Sequence, residues 1–251
     1  MFTLKGNVAI VTGPSGGIGK ACAVALAKNG VNIYGVDYAD LAPTKEELES
    51  YGIKFEGMHA DLTKPSAALA KEIVDNCVAA FGHVDFLINN AGISLREDSI
   101  DMPEEKWDAV ININLKTCFL LAQACARQFI KQGTGGKIVN MASMLAFTGG
   151  VRAIPYCASK HGIVGITKTM TNEWSKYGIN TNAIAPGYIN TPLNAAHKAN
   201  PEYAALLDAR IPSGRWGEPE EVANGVLFLC TKEADYIHGV TIPVDGGFLS
   251  W

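Results

Sequence analysis

The sequence predicts an α/β fold in which one parallel sheet is covered by helices. Three observations predict it. Short apolar runs alternate with helical patterns in the order strand, helix, strand, helix, strand, which implies parallel pairing with right-handed crossovers. The first apolar run enters a helix through a glycine-rich turn, Gly13-Pro-Ser-Gly-Gly-Ile-Gly19. No internal repeat, low-complexity linker or break in composition divides the 251 residues, so a single domain over 1–251 is expected.

Composition narrows the function. Hydrophobic residues make up 48% and charged residues only 18%, which implies a generous core and apolar surface shared between subunits. A net charge of −4 with no basic stripe argues against nucleic acid as a partner. No run of eighteen apolar residues occurs, so no membrane partner is expected, and the start lacks a signal-peptide pattern. The six cysteines are scattered with no Cys-x-x-Cys pair, as free thiols in a reducing cytoplasm would be.

Taken in order, Asn7–Thr12 reads as a fully buried strand, and the helix after the glycine turn places Ile18, Cys22, Ala25 and Leu26 on one face. Strand, glycine turn and helix N-terminus together form a cradle for a pyrophosphate, although a tight turn without a ligand has the same pattern. Val31–Asp37 is the next strand. Its terminal Asp37 follows Gly19 at the distance where a carboxylate binds adenosine ribose hydroxyls. The loop contains no Lys or Arg before Lys20, so a 2′-phosphate would meet a carboxylate and no evident cation, and NAD is favoured over NADP.

Ile53–Met58 alternates as a strand and leads to Asp61, a candidate for the adenine edge, for the cap of the helix that follows Pro65, or for both. That helix closes at Gly82, and Val84–Asn89 is a further buried strand ending at Asn89-Asn90-Ala91-Gly92. Asparagines there can tie backbone together or approach a cofactor. Pro103–Arg127 reads as a broken helix with Asn112 and Asn114 inside it; asparagine is a poor interior helix residue, so one of the two is expected to have a buried task.

The strand at 137–142 ends at Ser143, and the helix beginning near Pro155 carries Tyr156 and Lys160, a turn apart on one face. Hydroxyl, phenol and ammonium together can protonate a carbonyl oxygen. A tyrosine alone titrates near pH 10, and a nearby lysine cation should bring that toward neutrality. Asn180–Ala185 is a strand halted by Pro186-Gly187. Residues 188–215, polar and rich in proline with a short helix near 202–208, form a candidate substrate lid. Glu218–Cys230 is the last helix, and the strand beginning at Val240 is the last strand.

These motifs together resemble the classical short-chain dehydrogenase/reductase family over essentially the whole chain. They are Thr12-Gly13-x-x-x-Gly17-x-Gly19, Asn89-Asn90-Ala91-Gly92, Asn114, Ser143, Tyr156-x-x-x-Lys160 and Pro186-Gly187. The resemblance implies a single-domain Rossmann fold with a doubly wound, seven-stranded parallel sheet, hydride transfer with a nicotinamide cofactor, and a homotetramer. It implies that Tyr156 is the general acid/base, that Ser143 positions the substrate oxygen, that Lys160 holds the nicotinamide ribose, and that Asn114 holds a water in the relay to Lys160. It implies cofactor contacts from Gly13, Ser15, Gly17, Ile18 and Gly19, then Asp37, Asp61 and Leu62. Further contacts fall to Asn90, Ala91, Gly92, Tyr156 and Lys160, and then to Pro186, Gly187, Ile189 and Thr191. Pro14 departs from the pattern, because it has no N–H to donate.

Longer stretches, such as Gly135–Met144, Gly149–Arg152 and Arg210–Gly217, are similar to the sugar-acid dehydrogenases of the family, those acting on 2-dehydro-3-deoxy-gluconate. Gluconate dehydrogenases, 3-oxoacyl reductases and a catalytically silent cofactor sensor are the alternatives. A sugar acid carries a carboxylate, which guanidinium binds bidentately. Arg96 and Arg152 are therefore substrate candidates beside Ser143, Met144 and Tyr156, with a surface salt bridge of Arg96 to Glu97 or Asp98 as the bland alternative. His161 and His197 are read as non-catalytic. No metal is expected, since no cluster has ligand spacing and Tyr156 can polarise the carbonyl itself.

Overall fold

The structure, a computed structural model, describes residues 4–194 and 201–250. Seven strands, β1 (Val8–Thr12), β2 (Asn32–Asp37), β3 (Phe55–His59), β4 (Phe86–Asn89), β5 (Gly136–Met141), β6 (Ile179–Pro186) and β7 (Thr241–Val244), form one sheet. Their order is β3-β2-β1-β4-β5-β6-β7, and every pair is parallel.

The apolar runs are continuous because both faces of the sheet are covered. Alternate residues of β1 go to opposite layers. Ala9 and Val11 face α1 (Gly17–Lys28) and the C-terminal helix Pro219–Cys230, while Val8 and Ile10 face α3 (Ala67–Phe81) and α5 (Thr117–Gln132). A third cluster joins α5 to α6 (Ile154–Trp174) through Cys118, Ile163, Ala183 and Ala185. The chain runs outward from β1 to β3 and returns to place β4 on the other side of β1. The C-terminal ends of β1 and β4 thus flank the topological switch point, where open α/β sheets form their crevice.

The sequence reading passes over one element. α2 (Ala42–Glu49) lies between β2 and β3; it is short and polar, and buries only Thr44 and Leu48, so it has almost no apolar stripe to detect. The broken helix proves to be α4 (Glu104–Ile111), a π turn over Asn112–Lys116, and α5, which continues to a left-handed Gly133 and not to Arg127. By length and hydropathy the combined Glu104–Gln132 helix could cross a membrane. In this fold, however, Leu121, Ala122, Cys125 and Phe129 are buried in the core against the sheet.

Asp61 is not the cap of α3: Ser66 is, its hydroxyl accepting from the Leu69 amide. Asp61 instead accepts from the amide and hydroxyl of Thr63. The 188–215 segment carries α7 (Pro201–Asp208), and α8 (Pro219–Cys230) follows the segment; residues 195–200, including His197, lie outside the described residues.

Candidate active site

A cleft of about 920 Å³ opens at the C-terminal edge of the sheet. Its walls come from the ends of six strands: the glycine turn after β1, Val36–Tyr38 at the end of β2, Ala60–Thr63 after β3, Asn90–Arg96 after β4, Met141–Leu145 after β5 and Pro186–Ile189 after β6. Of the expected cofactor residues, all but Ser15 and Gly19 line it.

The glycine turn is built for close approach. Gly13 and Gly17 have φ of +70° and +52°, which favour glycine. Gly19 faces inward, and a Cβ there would lie 2.0 Å from the Gly13 carbonyl oxygen, so this residue sets how tightly α1 meets β1. The first turn of α1 has neither a side-chain cap nor an acidic residue, leaving its amides for a ligand. Beside it the Ser15 hydroxyl is buried without a hydrogen-bond partner among the described residues. Thr12 ties the crevice together: its hydroxyl accepts from the Asn90 and Ala91 amides, and the Asn90 side chain donates back to the Thr12 carbonyl at 3.0 Å. Asn89 bonds to the Cys118 carbonyl and Asn140, so both asparagines bind backbone or neighbouring side chains.

Asp37 sits at the end of β2, lining the cleft. Its two oxygens accept from the Ser15 amide and the Ala39 amide, each at 3.1 Å. Lys20, the first cation along the chain after the glycine turn, is engaged with Glu47 at 2.7 Å. Tyr38 stacks obliquely on His59, ring centroids 5.2 Å apart.

At the other end, Ser143, Tyr156 and Lys160 converge on the cleft. Ser143 caps a short 3₁₀ turn through the Leu145 amide. Lys160 is only 3% exposed; its Nζ donates to the Met141 carbonyl at 2.6 Å and lies 5.4 Å from the centroid of the Tyr156 ring. Burial brings the ammonium down to about 8. The expected fall of the phenol does not occur in this state. Burial pushes the Tyr156 phenol above its ordinary value, while the Ser143 hydrogen bond and the Arg96 charge pull it the other way. Desolvation of a phenolate outweighs those contributions.

Asn114 is buried behind the cleft, not on its wall. Its Oδ1 accepts from the Ile93 amide at 2.9 Å, and its Nδ2 donates to the Ile93 carbonyl and to Ser159 Oγ. Both amide donors are thereby committed. The buried task expected of one asparagine is to join the π turn to the loop after β4 and to α6.

Arg96 and Arg152 part company. Arg96 lines the cleft and donates to the Val151 carbonyl. Arg152 does not line it, which corrects the expectation that it faces substrate. Its backbone adopts φ +58°, and its guanidinium turns to Glu97 at 3.3 Å and Asp98 at 3.4 Å. The two acids proposed as partners for Arg96 are therefore partners of Arg152. Met144 lines the cleft, and His161 is exposed, its ring bonded to the Cys157 carbonyl. Sequence reasoning missed Ser94, Lys106 and Tyr188 on the wall. Tyr188 belongs to an aromatic cluster with Trp216 and Phe248, at centroid distances of 5.3 and 5.7 Å. No motif marks any of the three.

Comparison with known proteins finds relatives over nearly the whole chain. A family model described as enoyl-(acyl carrier protein) reductase matches residues 13–249. A protein from Escherichia coli (strain K12) named 2-dehydro-3-deoxy-D-gluconate 5-dehydrogenase is 45% identical over 249 residues, covering 99% of this chain and 98% of its own. One of the same name from Dickeya dadantii (strain 3937) is 46% identical, with the same coverage. A crystal structure of a proposed 2-deoxy-D-gluconate 3-dehydrogenase from Agrobacterium tumefaciens, with bound NADP, superposes with a TM-score of 0.93 at 40% identity, covering all of this chain and 99% of that one.

Proposed function

The chain belongs to the short-chain dehydrogenase/reductase family, and from that premise we propose that it interconverts a secondary hydroxyl and a ketone on a sugar acid. The substrate class is 2-dehydro-3-deoxy-D-gluconate, and the preferred cofactor is NAD(H). The observation that carries the reading is the opposite character of the two ends of one cleft. Asp37 and Asp61 line the end beside the glycine turn, while Arg96 and Lys106 line the end shared with Ser143 and Tyr156. A carboxylated substrate suits the second end.

The residues present fit a dinucleotide. Its pyrophosphate would rest on the uncapped start of α1, where Gly13 and Gly17 let it approach and Ser15 has a free hydroxyl. Asp37 would hold the adenosine ribose and Lys160 the nicotinamide ribose. NAD is favoured because a 2′-phosphate would face Asp37, with Lys20 already held by Glu47. A nicotinamide cofactor supplies or accepts the hydride when bound. The chain's own residues orient the substrate and move the proton. Ser143 Oγ positions the carbonyl oxygen, and Tyr156 gives that oxygen its proton in reduction or takes the hydroxyl proton in oxidation. Lys160 Nζ, its pKa brought down by burial to about 8, passes the proton onward. Asn114 serves the relay through the backbone of its π turn, since its side-chain donors are committed. The 188–215 segment, whose Tyr188, Ile189 and Thr191 line the cleft, acts as a lid over the substrate.

Exposed apolar side chains on α5 and beside β7, among them Phe119, Ile130 and Val240, support a homotetramer, to be read by sedimentation velocity. The free cysteines, five of them buried, support a cytoplasmic location.

The test is turnover by the purified protein of keto-sugar acids, gluconate, an uncharged polyol and a 3-oxoacyl thioester, with NAD and NADP in parallel. Preference for 2-dehydro-3-deoxy-gluconate or its diketo product is expected. Activity confined to uncharged ketones or thioesters overturns the substrate reading. Tyr156→Phe should bind NADH as before while kcat falls about 10²–10⁴-fold; unchanged turnover would remove Tyr156 from its role.

A further inference from the structure

We propose that Lys106 is a specificity-determining residue: its ammonium joins Arg96 in holding the substrate carboxylate, and Glu97 keeps that ammonium at the cleft wall until substrate arrives. This inference rests on the sugar-acid reading above and assigns the second cation that Arg152 does not provide.

The geometry begins with Arg152. Its left-handed backbone turns the side chain out of the cleft, and its carbonyl accepts from the Glu97 amide at 3.2 Å. The loop after β4 is thus fastened to the loop before α6. Lys106 lies in the first turn of α4 and lines the cleft with Ser94 and Arg96. Its Nζ is 3.0 Å from Glu97 Oε2, while the other oxygen of the same carboxylate, Oε1, meets Arg152 Nη2 at 3.3 Å. Arg96 pairs with no carboxylate among the described residues and donates only to the Val151 carbonyl.

Within this bonded cluster three cations share two carboxylates, Glu97 and Asp98, so the group has room for one more anion. Lysine is the member suited to exchange partners, because its charge sits on a flexible stem. If Lys106 leaves Glu97 for a substrate carboxylate, Glu97 keeps Arg152, and no bare carboxylate is left behind. Arg152 is then a positioning residue that makes the exchange possible. The Ser94 hydroxyl, buried on the same wall and without a hydrogen-bond partner among the described residues, provides for a neighbouring hydroxyl of a polyhydroxylated substrate.

The experiment is steady-state kinetics with the best sugar acid and with an uncharged ketone. Lys106→Gln should raise KM for the acid about tenfold or more, the weight of one charge-assisted hydrogen bond, and move KM for the uncharged ketone far less. Lys106→Arg should recover most of the loss. Glu97→Gln should move KM for the acid downward, because it removes the competing carboxylate. A merely structural pair would behave otherwise: either variant would loosen the loop and raise KM for both substrates together, and that result overturns the proposal. So does an unmoved KM in Lys106→Gln while the wild type still prefers acids. A wild type with no preference for acids overturns the sugar-acid reading along with it.

Discussion

Asn114→Ala separates a structural from a catalytic reading of one buried side chain. The amide is 2% exposed and makes three hydrogen bonds, two to the Ile93 backbone and one to Ser159 Oγ. Ser159 in turn donates to the Tyr156 carbonyl at 2.7 Å, so the loss reaches the helix that carries the catalytic pair. Each lost bond removes about 0.5–1.5 kcal/mol net, and an orphaned buried amide adds about 1–3 kcal/mol. A destabilisation of about 3 kcal/mol follows, which in a chain of this length lowers Tm by about 6–12 °C. Calorimetry or urea denaturation reads it. Asn114→Asp keeps the acceptor for the Ile93 amide but aims a carboxylate at the Ile93 carbonyl, so it should be at least as harmful. Asn112→Ala, two residues earlier in the same π turn and with no side-chain hydrogen bond among the described residues, should stay within about 0.5 kcal/mol. If Asn114→Ala melts within about 2 °C of the wild type and yet loses turnover, the anchoring argument is wrong and the side chain acts directly in the relay.

Two further perturbations test the charges of the site. Lys160 has a pKa lowered from 10.5 to about 8, so below pH 8 the folded state must hold a buried cation at a cost of about 3 kcal/mol. Between pH 8 and 10.5 the unfolded chain binds the extra proton, and stability contributed by this group rises with pH. Lys160→Met should therefore be more stable than the wild type at pH 7 by about 1–3 kcal/mol while losing turnover, with the advantage fading by pH 10. Equal unfolding free energies at both pH values would show that the ammonium is not desolvated. Asp37→Ser should lower kcat/KM for NAD by about 10–150-fold, the weight of a hydrogen bond to a charged acceptor, and should penalise NADP less. An unchanged NAD to NADP ratio would place the ribose elsewhere.

The contrast between what could and could not be read from the sequence follows the physics of each signal. β1, the glycine turn and α1 were legible because strand, turn and helix each impose residue types: apolar on both faces, glycine where φ is positive, and no acid in the first turn. Asn114 stood out for the opposite reason, as a poor helix former kept inside a helix, and the structure explains it with a π turn and three hydrogen bonds. α2 was passed over because a short helix with two buried residues has almost no periodicity. The Tyr156 phenol went astray for a different reason. The spacing of Tyr156 and Lys160 is a property of the helix, but the sign of the shift depends on how much water the cleft excludes, which no spacing records.

The two arginines show the same limit more sharply. Arg96 and Arg152 look equivalent along the chain, each a cation in a loop beside a catalytic motif. Their fates are set by one backbone angle and by two acids in the loop after β4. With φ at +58°, Arg152 reaches Glu97 and Asp98, and the acids that would have occupied Arg96 are taken. That leaves Arg96 open to the cleft and brings in Lys106, a residue distant from every motif, as its companion. On the proposed function, the substrate charges are met by a loosely shared ion-pair cluster and the proton-transfer residues stand in a more closely bonded one, around Asn114, Ser159 and the Lys160–Met141 bond. Rigidity suits proton transfer, which is sensitive to fractions of an ångström, whereas a carboxylate that must enter and leave is better met by cations already able to exchange partners.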